Sequence, residues 1–331
     1  MQARHSTPVD AATGHSPAQQ FSREAVQRIS ADVTYLRTLI SNVFFIGAPG
    51  ARDREWTLVD AGLPGLTGRI ERLARELYGD SRPNAILLTH AHFDHVGGLP
   101  QLARKWQAPV YAHRLESAYL TGRAQYPPPD PSVGGGLMAR LSPLYPRGPI
   151  DVSSHFRLLP ADGTVPGLPE WRWIHTPGHT AGHVSFFRDR DRLLISGDAV
   201  INTRQESALA VATQRPRVSR PPAYLTENWQ EARASVAALA ALRPHLLASS
   251  HGIPVAGERL QQGLERLLRT FGNEIPQHGR YAASPVLSDE SGPVIVPLPR
   301  RSPLTPVAIG LGAAAVIGTG LLLYARRSRH D

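Results

Sequence analysis

The sequence predicts an α/β domain in which helices cover a sheet, and two observations support that prediction. After a β-rich start over residues 35–62, apolar runs with strand character alternate with runs that have helical spacing. The chain of 331 residues is 41% hydrophobic and 19% charged, which is typical of a globular protein with a sizeable buried core. A disordered chain and a polytopic membrane protein are therefore excluded.

The elements follow from local patterns. Residues 35–62 hold two β-rich runs with a turn between them, and residues 65–78 place apolar side chains on one helical face. A hairpin is expected around Asp189–Asp191, because a charged turn separates two apolar runs. Further helices are expected near 99–105 and 227–242, and further strands at 85–89, 109–112, 171–174, 184–188, 192–196 and 246–249.

The two ends of the chain differ from the main domain, which we place at residues 33–271. Residues 1–32 are polar and without an apolar run of signal-peptide length, so we expect a flexible arm that leads into a short helix. Residues 272–303 are rich in Pro, Ser and Arg and are expected to be a linker. Residues 304–325 carry no charged side chain, and residues 326–331 form a basic tail.

The uncharged segment 304–325 predicts a transmembrane helix. Its most apolar part, residues 307–324, would be about 27 Å long as a helix, close to the thickness of a bilayer core. Because no secretory signal is present, we expect a single-pass C-terminal anchor and a cytoplasmic catalytic domain; the alternative is a buried core helix. Arginines flank the span on both sides: Arg300, Arg301, Arg326, Arg327 and Arg329. Small residues recur at intervals of four, which makes a homodimer of such helices possible: Gly310, Ala314 and Gly318.

Charge and cysteine content limit the chemistry. The chain has 36 Lys and Arg against 27 Asp and Glu, for a net charge of +9 that is spread along the sequence, so we expect no nucleic-acid partner. With no cysteine, disulfides, thiolate metal sites and cysteine nucleophiles are excluded. Metal binding would have to use carboxylates and the 14 histidines.

The strongest motif follows the apolar run 86–88. His90, His92, Asp94 and His95 fall within six residues, so one tight loop can present four ligands toward two neighbouring cations. Three more side chains of ligand type come just after apolar strands, each beside a glycine that permits close approach: His179, Asp198 and His251.

This set of residues resembles the metallo-β-lactamase superfamily of metal-dependent hydrolases, over roughly residues 33–270. The resemblance implies a four-layer αββα sandwich and two metal ions, zinc by expectation, with iron or manganese as alternatives. His90, His92 and His179 would hold the first ion, Asp94, His95 and His251 the second, and Asp198 would bridge them. A hydroxide between the metals would be the nucleophile, which makes Asp94 and Asp198 the candidate catalytic carboxylates.

Two further side chains are expected to support these ligands. Asp60 occupies the position of an early strand-end aspartate in that family and would orient a ligand histidine. His183 is expected to be a hydrogen-bonding support.

The substrate is expected to be a small molecule. The overall style resembles the glyoxalase II-like branch, which implies cleavage of a thioester or ester. Alternative hydrolases are a lactonase, a β-lactamase-type hydrolase and a metal-dependent nuclease. A mononuclear iron persulfide dioxygenase-like enzyme, which would use His90, His179 and Asp198, is a further alternative. The last alternative is a non-enzymatic, membrane-anchored binding module. Substrate contacts are expected from two loops. Loop 119–151 could line an apolar pocket with Tyr126, Leu137, Met138, Leu141, Leu144 and Tyr145. Loop 201–225 offers four arginines for a carboxylate or phosphate: Arg204, Arg215, Arg217 and Arg220.

Overall fold

Two β-sheets form the centre of the protein. The computed structural model describes residue 21 and residues 23–299. The first sheet has seven strands in the order β1 to β7: β1 (Val26–Ser30), β2 (Val33–Thr38), β3 (Ser41–Ile46), β4 (Thr57–Val59), β5 (Ala85–Leu87), β6 (Val110–Ala112) and β7 (Phe156–Leu158). The second sheet has five strands in the order β12-β11-β10-β9-β8: β8 (Trp171–His175), β9 (Val184–Arg188), β10 (Leu193–Ile195), β11 (Leu246–Ala248) and β12 (Val255–Ala256). A hairpin of β13 (Leu287–Asp289) and β14 (Gly292–Ile295) follows.

Helices occupy the connections between these strands. They are α1 (Thr67–Tyr78), α2 (Phe93–Val96), α3 (Leu99–Trp106), α4 (Ser117–Leu120), α5 (Leu137–Leu141), α6 (Ala208–Thr213), α7 (Trp229–Ala241) and α8 (Gly257–Glu274).

Alternating side chains on the strands create three apolar layers. In β3, Phe44 and Ile46 pack with Phe186 and Ile195 of the second sheet, and this contact forms the core between the sheets. Phe45 points the other way and packs with residues of α1 and α3. On the far side of the second sheet, Phe187, Leu194 and Leu247 pack against α7 and α8. The expected four-layer sandwich, with helices outside two facing sheets, is confirmed.

The start of the chain departs from the expected arm and short helix. Residues 26–30 form an edge strand, β1, in which Val26 pairs with Leu36 of β2. The reason is burial: Ile29 is only 1% exposed and joins the core between the sheets, so pairing with β2 covers it.

The expected linker 272–303 is also partly structured. α8 continues to Glu274, because Leu260, Leu264, Leu267 and Phe271 bury one helical face. Beyond it, the hydroxyl of Tyr281 donates to the carbonyl of Pro128, and the β13–β14 hairpin packs on the segment that follows α4. These residues are part of the domain surface up to the end of the described region.

Within residue 21 and residues 23–299, no helix is both long and apolar enough to cross a bilayer. The predicted span 304–325, the basic tail 326–331 and the first 20 residues of the expected arm lie outside the described residues.

Candidate metal centre

The seven predicted ligands lie just beyond the C-terminal ends of four strands. His90 and His92 lie in the loop after β5, and Asp94 and His95 lie in the short helix α2 that follows it. The loops after β8, β10 and β11 carry His179, Asp198 and His251. Because β10 and β11 are parallel neighbours, their following loops meet at one edge of the sheet. All seven side chains are buried.

Glycine makes one of these turns possible. Gly197, before Asp198, has a φ of +55°, and a Cβ there would lie 2.4 Å from Nε2 of His183 and 2.9 Å from Cβ of Thr89. No larger side chain fits, so the turn that presents Asp198 depends on glycine.

Three imidazoles form the first group. Nε2 of His90 lies 2.9 Å from Nδ1 of His92, which lies 3.1 Å from Nε2 of His179. Burial and the neighbouring imidazoles hold the pKa of His90 well below its usual range, and burial lowers the pKa of His179 to about 4. Three neutral imidazoles whose nitrogens converge are the donor set that a zinc-like ion prefers.

The second group combines Asp94, His95 and His251. Nε2 of His95 is 3.8 Å from Oδ1 of Asp94, and Nε2 of His251 is 3.6 Å from Oδ2 of the same carboxylate. Burial lowers the pKa of His95, but the surrounding carboxylates, Asp94 first, outweigh it and raise that pKa to about 10. The group is therefore built to hold positive charge, and a cation that replaced these protons would satisfy it.

Asp198 lies between the two groups. Its Oδ2 is 3.3 Å from Nε2 of His179 and 3.1 Å from Nε2 of His251, while its Oδ1 is 3.7 Å from Nε2 of His95. Oδ1 of Asp198 and Nε2 of His95 are both buried without a hydrogen-bond partner among the described residues. Buried polar atoms rarely stay unpaired, so these two atoms fit a site that takes metal ions.

Hydrogen bonds on the outer side fix the orientation of the rings. Nδ1 of His95 donates to Oδ2 of Asp60 at 2.8 Å, and Nδ1 of His251 donates to the carbonyl of Ile40 at 2.6 Å. In both rings, Nε2 is thereby turned toward the centre. Such outer partners fix the tautomer of a histidine that binds a metal.

His183 contacts the backbone beside the centre. Its Nε2 accepts the N–H of Asp198 at 2.9 Å, so Nδ1 carries the proton and donates to Oγ1 of Thr176 at 2.8 Å. With both nitrogens engaged in this way, His183 is placed to position Asp198.

Sequence reasoning missed Glu116, which connects two ligand loops. The side chain is fully buried; Oε2 accepts the N–H of Ala91 at 3.0 Å, and Oε1 accepts the hydroxyl of Thr180 at 2.7 Å. Burial raises the pKa of this carboxyl. No local signal identifies it, because its partners lie 25 and 64 residues away along the chain.

Tyr126 has a different place from the one expected. It is 3% exposed, its hydroxyl donates to Glu116, and its ring centroid is 4.3 Å from that of His92. It packs against the first group of ligands and is largely enclosed, so it offers little surface to a substrate pocket.

Two other tyrosines lie near Phe93, the residue before Asp94. The ring of Tyr145 contacts Phe93 at 5.2 Å and Tyr224 at 6.0 Å. Burial, followed by Tyr145 and Asp94, raises the pKa of Tyr224 well above its usual range, and Asp198 contributes in the same direction. Tyr224 lies in the 201–225 loop, where the sequence had pointed only to arginines.

The other loop residues are divided between core and surface. Leu137 and Leu144 are exposed, whereas Met138 packs on the outer core of the second sheet. Of the arginines, Arg220 is neutralised by Glu206 at 2.7 Å.

The chain is similar in sequence to a known family and to several of its members. Residues 36–251 match the family described as the metallo-beta-lactamase superfamily. A probable metallo-hydrolase of Bacillus subtilis, YflN, is 45% identical over 233 residues, which cover 70% of this chain and 88% of that protein. A hydroxyacylglutathione hydrolase of Halorhodospira halophila is 30% identical over 150 residues, which cover 45% of each chain.

Among solved structures, a beta-lactamase domain protein from Burkholderia ambifaria has the same fold, with a TM-score of 0.52 and 20% identity over 78% of this chain and 80% of that one. The family match and the probable metallo-hydrolase among its relatives place the chain among the metallo-hydrolases. The chain belongs to the metallo-β-lactamase superfamily, and the resemblance drawn from its histidines and aspartates is confirmed.

Proposed function

We propose that the protein is a binuclear metallo-hydrolase that cleaves a thioester or ester bond of a small molecule. The position of Asp198 carries this proposal: one carboxylate is within 3.3 Å of a histidine of the first group and 3.1 Å of a histidine of the second. A mononuclear centre that used His90, His179 and Asp198 would leave the group of Asp94, His95 and His251 without a role.

The ligands are assigned by group. His90, His92 and His179 would hold one ion, and Asp94, His95 and His251 the other, with Asp198 shared and zinc the preferred metal. When bound, the ions would lower the pKa of a water and polarise the scissile carbonyl.

Other side chains would orient the ligands, the attacking water and the substrate. Asp60 and the carbonyl of Ile40 hold Nε2 of His95 and of His251 toward the centre. Asp94 would serve first as a ligand, and it would also orient the attacking water or pass a proton toward the leaving group. Tyr224, whose hydroxyl makes no hydrogen bond within the described residues, would donate one to the substrate; its ring lies 6.0 Å from that of Tyr145, which contacts Phe93 next to Asp94.

A thioester or ester is favoured by one relative and by an aromatic pair beside the centre. The Halorhodospira protein is, by its name, a hydrolase of hydroxyacylglutathione, an acylated thiol. Tyr145 and Phe93 supply an aromatic surface next to the carboxylates, which suits an acyl chain.

For the C-terminus, we retain the proposal that residues 304–325 anchor the chain in a bilayer; it is supported by the sequence alone. Full-length protein should sediment with membranes and require detergent for release, and a chain that ends at Pro299 should remain in the supernatant. Sedimentation of both chains would contradict an anchor in this segment.

The test of the catalytic proposal is metal analysis of protein purified without chelator or added metal, together with assays on a thioester, a lactone and a phosphodiester. We expect two equivalents of metal and turnover of the thioester. Asp198→Ala should abolish both, and His278→Ala, at an exposed histidine, should change neither. One equivalent of iron without hydrolysis, or phosphodiester turnover alone, would overturn the proposal.

A further inference from the structure

A cleft lined by arginines opens between the 204–218 segment and α8. It has a volume of about 650 Å³, within the range of pockets for small molecules. No Asp or Glu is among the side chains that line it, whereas five guanidinium groups are: Arg204, Arg215, Arg217, Arg259 and Arg266.

The positive charge of this arginine cleft is poorly compensated. Arg217 is 4.0 Å from Oε1 of Glu274, which is too far for a hydrogen bond. Nearby Arg220, by contrast, forms an ion pair with Glu206 at 2.7 Å. Across residues 23–299, no acidic oxygen lies within 4.0 Å of the four other guanidinium groups: Arg204, Arg215, Arg259 and Arg266. Like charges held together repel, so an anion between them is favoured.

The two walls of the cleft are fixed against each other. A guanidinium nitrogen of Arg259 donates to the carbonyl of Pro216 at 3.2 Å, and one of Arg266 donates to the carbonyl of Val218 at 2.9 Å. Gly263 lies between these arginines on the same face of α8, and a Cβ there would be 2.6 Å from Cγ2 of Val218. Glycine thus lets the helix approach the loop and sets the width of the cleft.

The same segment is connected to the metal centre. The N–H of Asn202 donates to the carbonyl of His251 at 2.9 Å, and the N–H of Arg217 donates to the carbonyl of Asn202 at 2.9 Å. Val255, which lines the cleft, is four residues after His251 and thus at most about 14 Å away along the chain. The cleft and the metal centre are therefore joined by short stretches of backbone.

We propose that the arginine cleft binds a phosphate or pyrophosphate group of the substrate, whose acyl bond lies at the metal centre. This inference rests on the proposed hydrolase function. Guanidinium groups bind phosphate oxygens through paired hydrogen bonds, and several of them around one cavity suit a multiply charged anion better than a single carboxylate. The concave shape selects a small molecule over a flat membrane surface or an extended nucleic acid.

The first test measures binding of inorganic pyrophosphate to the full chain by calorimetry. The double variant Arg217→Gln/Arg259→Gln should weaken binding about 10-fold or more, because two charge-assisted contacts are lost. Arg233→Gln, at an exposed arginine of α7 outside the cleft, should leave the affinity within about twofold. Because pyrophosphate also binds metals, Asp198→Ala should retain the binding, and loss of binding in that variant would overturn the proposal.

The second test separates the cleft from the hydrolase. With a phosphorylated thioester, the double variant should raise KM and leave kcat unchanged, and an uncharged thioester should show no difference. Hydrolysis without pyrophosphate binding, or binding that the double variant retains, would overturn the cleft and leave the hydrolase standing. Pyrophosphate binding without any hydrolysis would overturn the hydrolase and the substrate assignment with it. Binding that depends on these arginines but occurs only with phosphatidylglycerol vesicles or a single-stranded oligonucleotide would also overturn the proposal.

Discussion

Oδ2 of Asp60 accepts the Nδ1 proton of His95 at 2.8 Å, and the opposite nitrogen of that ring lies 3.7 Å from Oδ1 of Asp198. The other oxygen of Asp60 accepts the N–H of Thr89 at 2.9 Å, so the carboxylate also holds the start of the ligand loop. Asp60 itself has a φ of +61°, an unusual conformation for a residue with a side chain. One aspartate therefore determines both the loop position and the tautomer of its histidine.

Asp60→Asn should lower the metal affinity of the second group about 10- to 100-fold. An amide in place of the carboxylate no longer requires a proton on Nδ1 of His95, so the ring can present Nε2–H to the centre instead of a lone pair. Competition with a chelator measures the affinity. Asp53→Asn, which changes an exposed carboxylate paired with Arg82, is the control; equal affinities for the two variants would remove Asp60 from this role.

Asp198→Ala and His92→Ala should lose metal to different extents. Asp198 contacts both groups, so its removal should empty both sites and reduce hydrolysis on the order of 10³-fold or more. His92 belongs to the first group only, and its variant should keep close to one equivalent. Metal content per chain, measured by atomic emission, distinguishes these outcomes; two equivalents in Asp198→Ala would show that the carboxylate does not bridge.

The contrast between the ligands and their supports shows what local sequence can predict. The seven ligands are recognisable because four fall within six residues and the other three follow apolar strands beside glycines. The same apolar runs also predicted most of the strands, whereas their arrangement in two facing sheets was implied only by the family resemblance. Glu116 gives no such signal, because it acquires its role only when loops distant in sequence meet around it.

The strands and the helix that were not predicted from the sequence also depend on contacts that are distant along the chain or on a pattern that composition conceals. β1 and the β13–β14 hairpin are short elements. β1 forms because the edge of β2 is available for pairing, and the hairpin forms where its two strands pair with each other on the domain surface. α8 has a clear apolar face, formed by Leu260, Leu264 and Leu267, but no helix was predicted there. Composition alone, such as the Pro and Ser content of residues 272–303, does not distinguish a linker from a segment that packs on the domain.

Glu116→Gln should weaken metal binding at the first group about 10- to 100-fold. The carboxylate accepts hydrogen bonds from the loops of both His92 and His179, and an amide can satisfy at most one of them with its oxygen. Glu71→Gln, which alters a surface carboxylate paired with Lys105, is the matched control. If chelator competition finds the same affinity for Glu116→Gln and Glu71→Gln, the two loops do not depend on Glu116.

Tyr224→Phe should lower kcat about 100-fold at unchanged metal content, because the substrate would lose the hydrogen bond that we propose for this hydroxyl. Tyr145→Phe is the control, since the hydroxyl of Tyr145 already donates to the carbonyl of Met138 at 2.9 Å and has no proton to offer. Steady-state kinetics on the same thioester compares the two variants. A larger loss of kcat in Tyr145→Phe would reverse this assignment.

His113 should make folding stability depend on pH. Burial, aided by the neighbouring His175 and Arg114, lowers its pKa to about 3 from the usual 6.5. As the pH falls from about 6.5 toward 3, the unfolded chain takes up a proton at this position that the folded chain does not, so the free energy of unfolding decreases. At pH above 6.5, His113 is neutral in both states and has no such effect.

His113→Asn removes this titration and keeps an acceptor for the N–H of Leu115, which His113 accepts through Nδ1 at 3.4 Å. The drop in Tm between pH 7.5 and pH 5 should therefore be about 2–4 °C smaller than in the wild type, the change expected for about 1 kcal/mol in a domain of this size. Thermal melts at four pH values measure this difference between slopes, with His278→Asn as the exposed control. Because the metal ligands are the same in all three proteins, their own titration cancels, and a slope for His113→Asn as steep as that of the wild type would exclude His113 as its source.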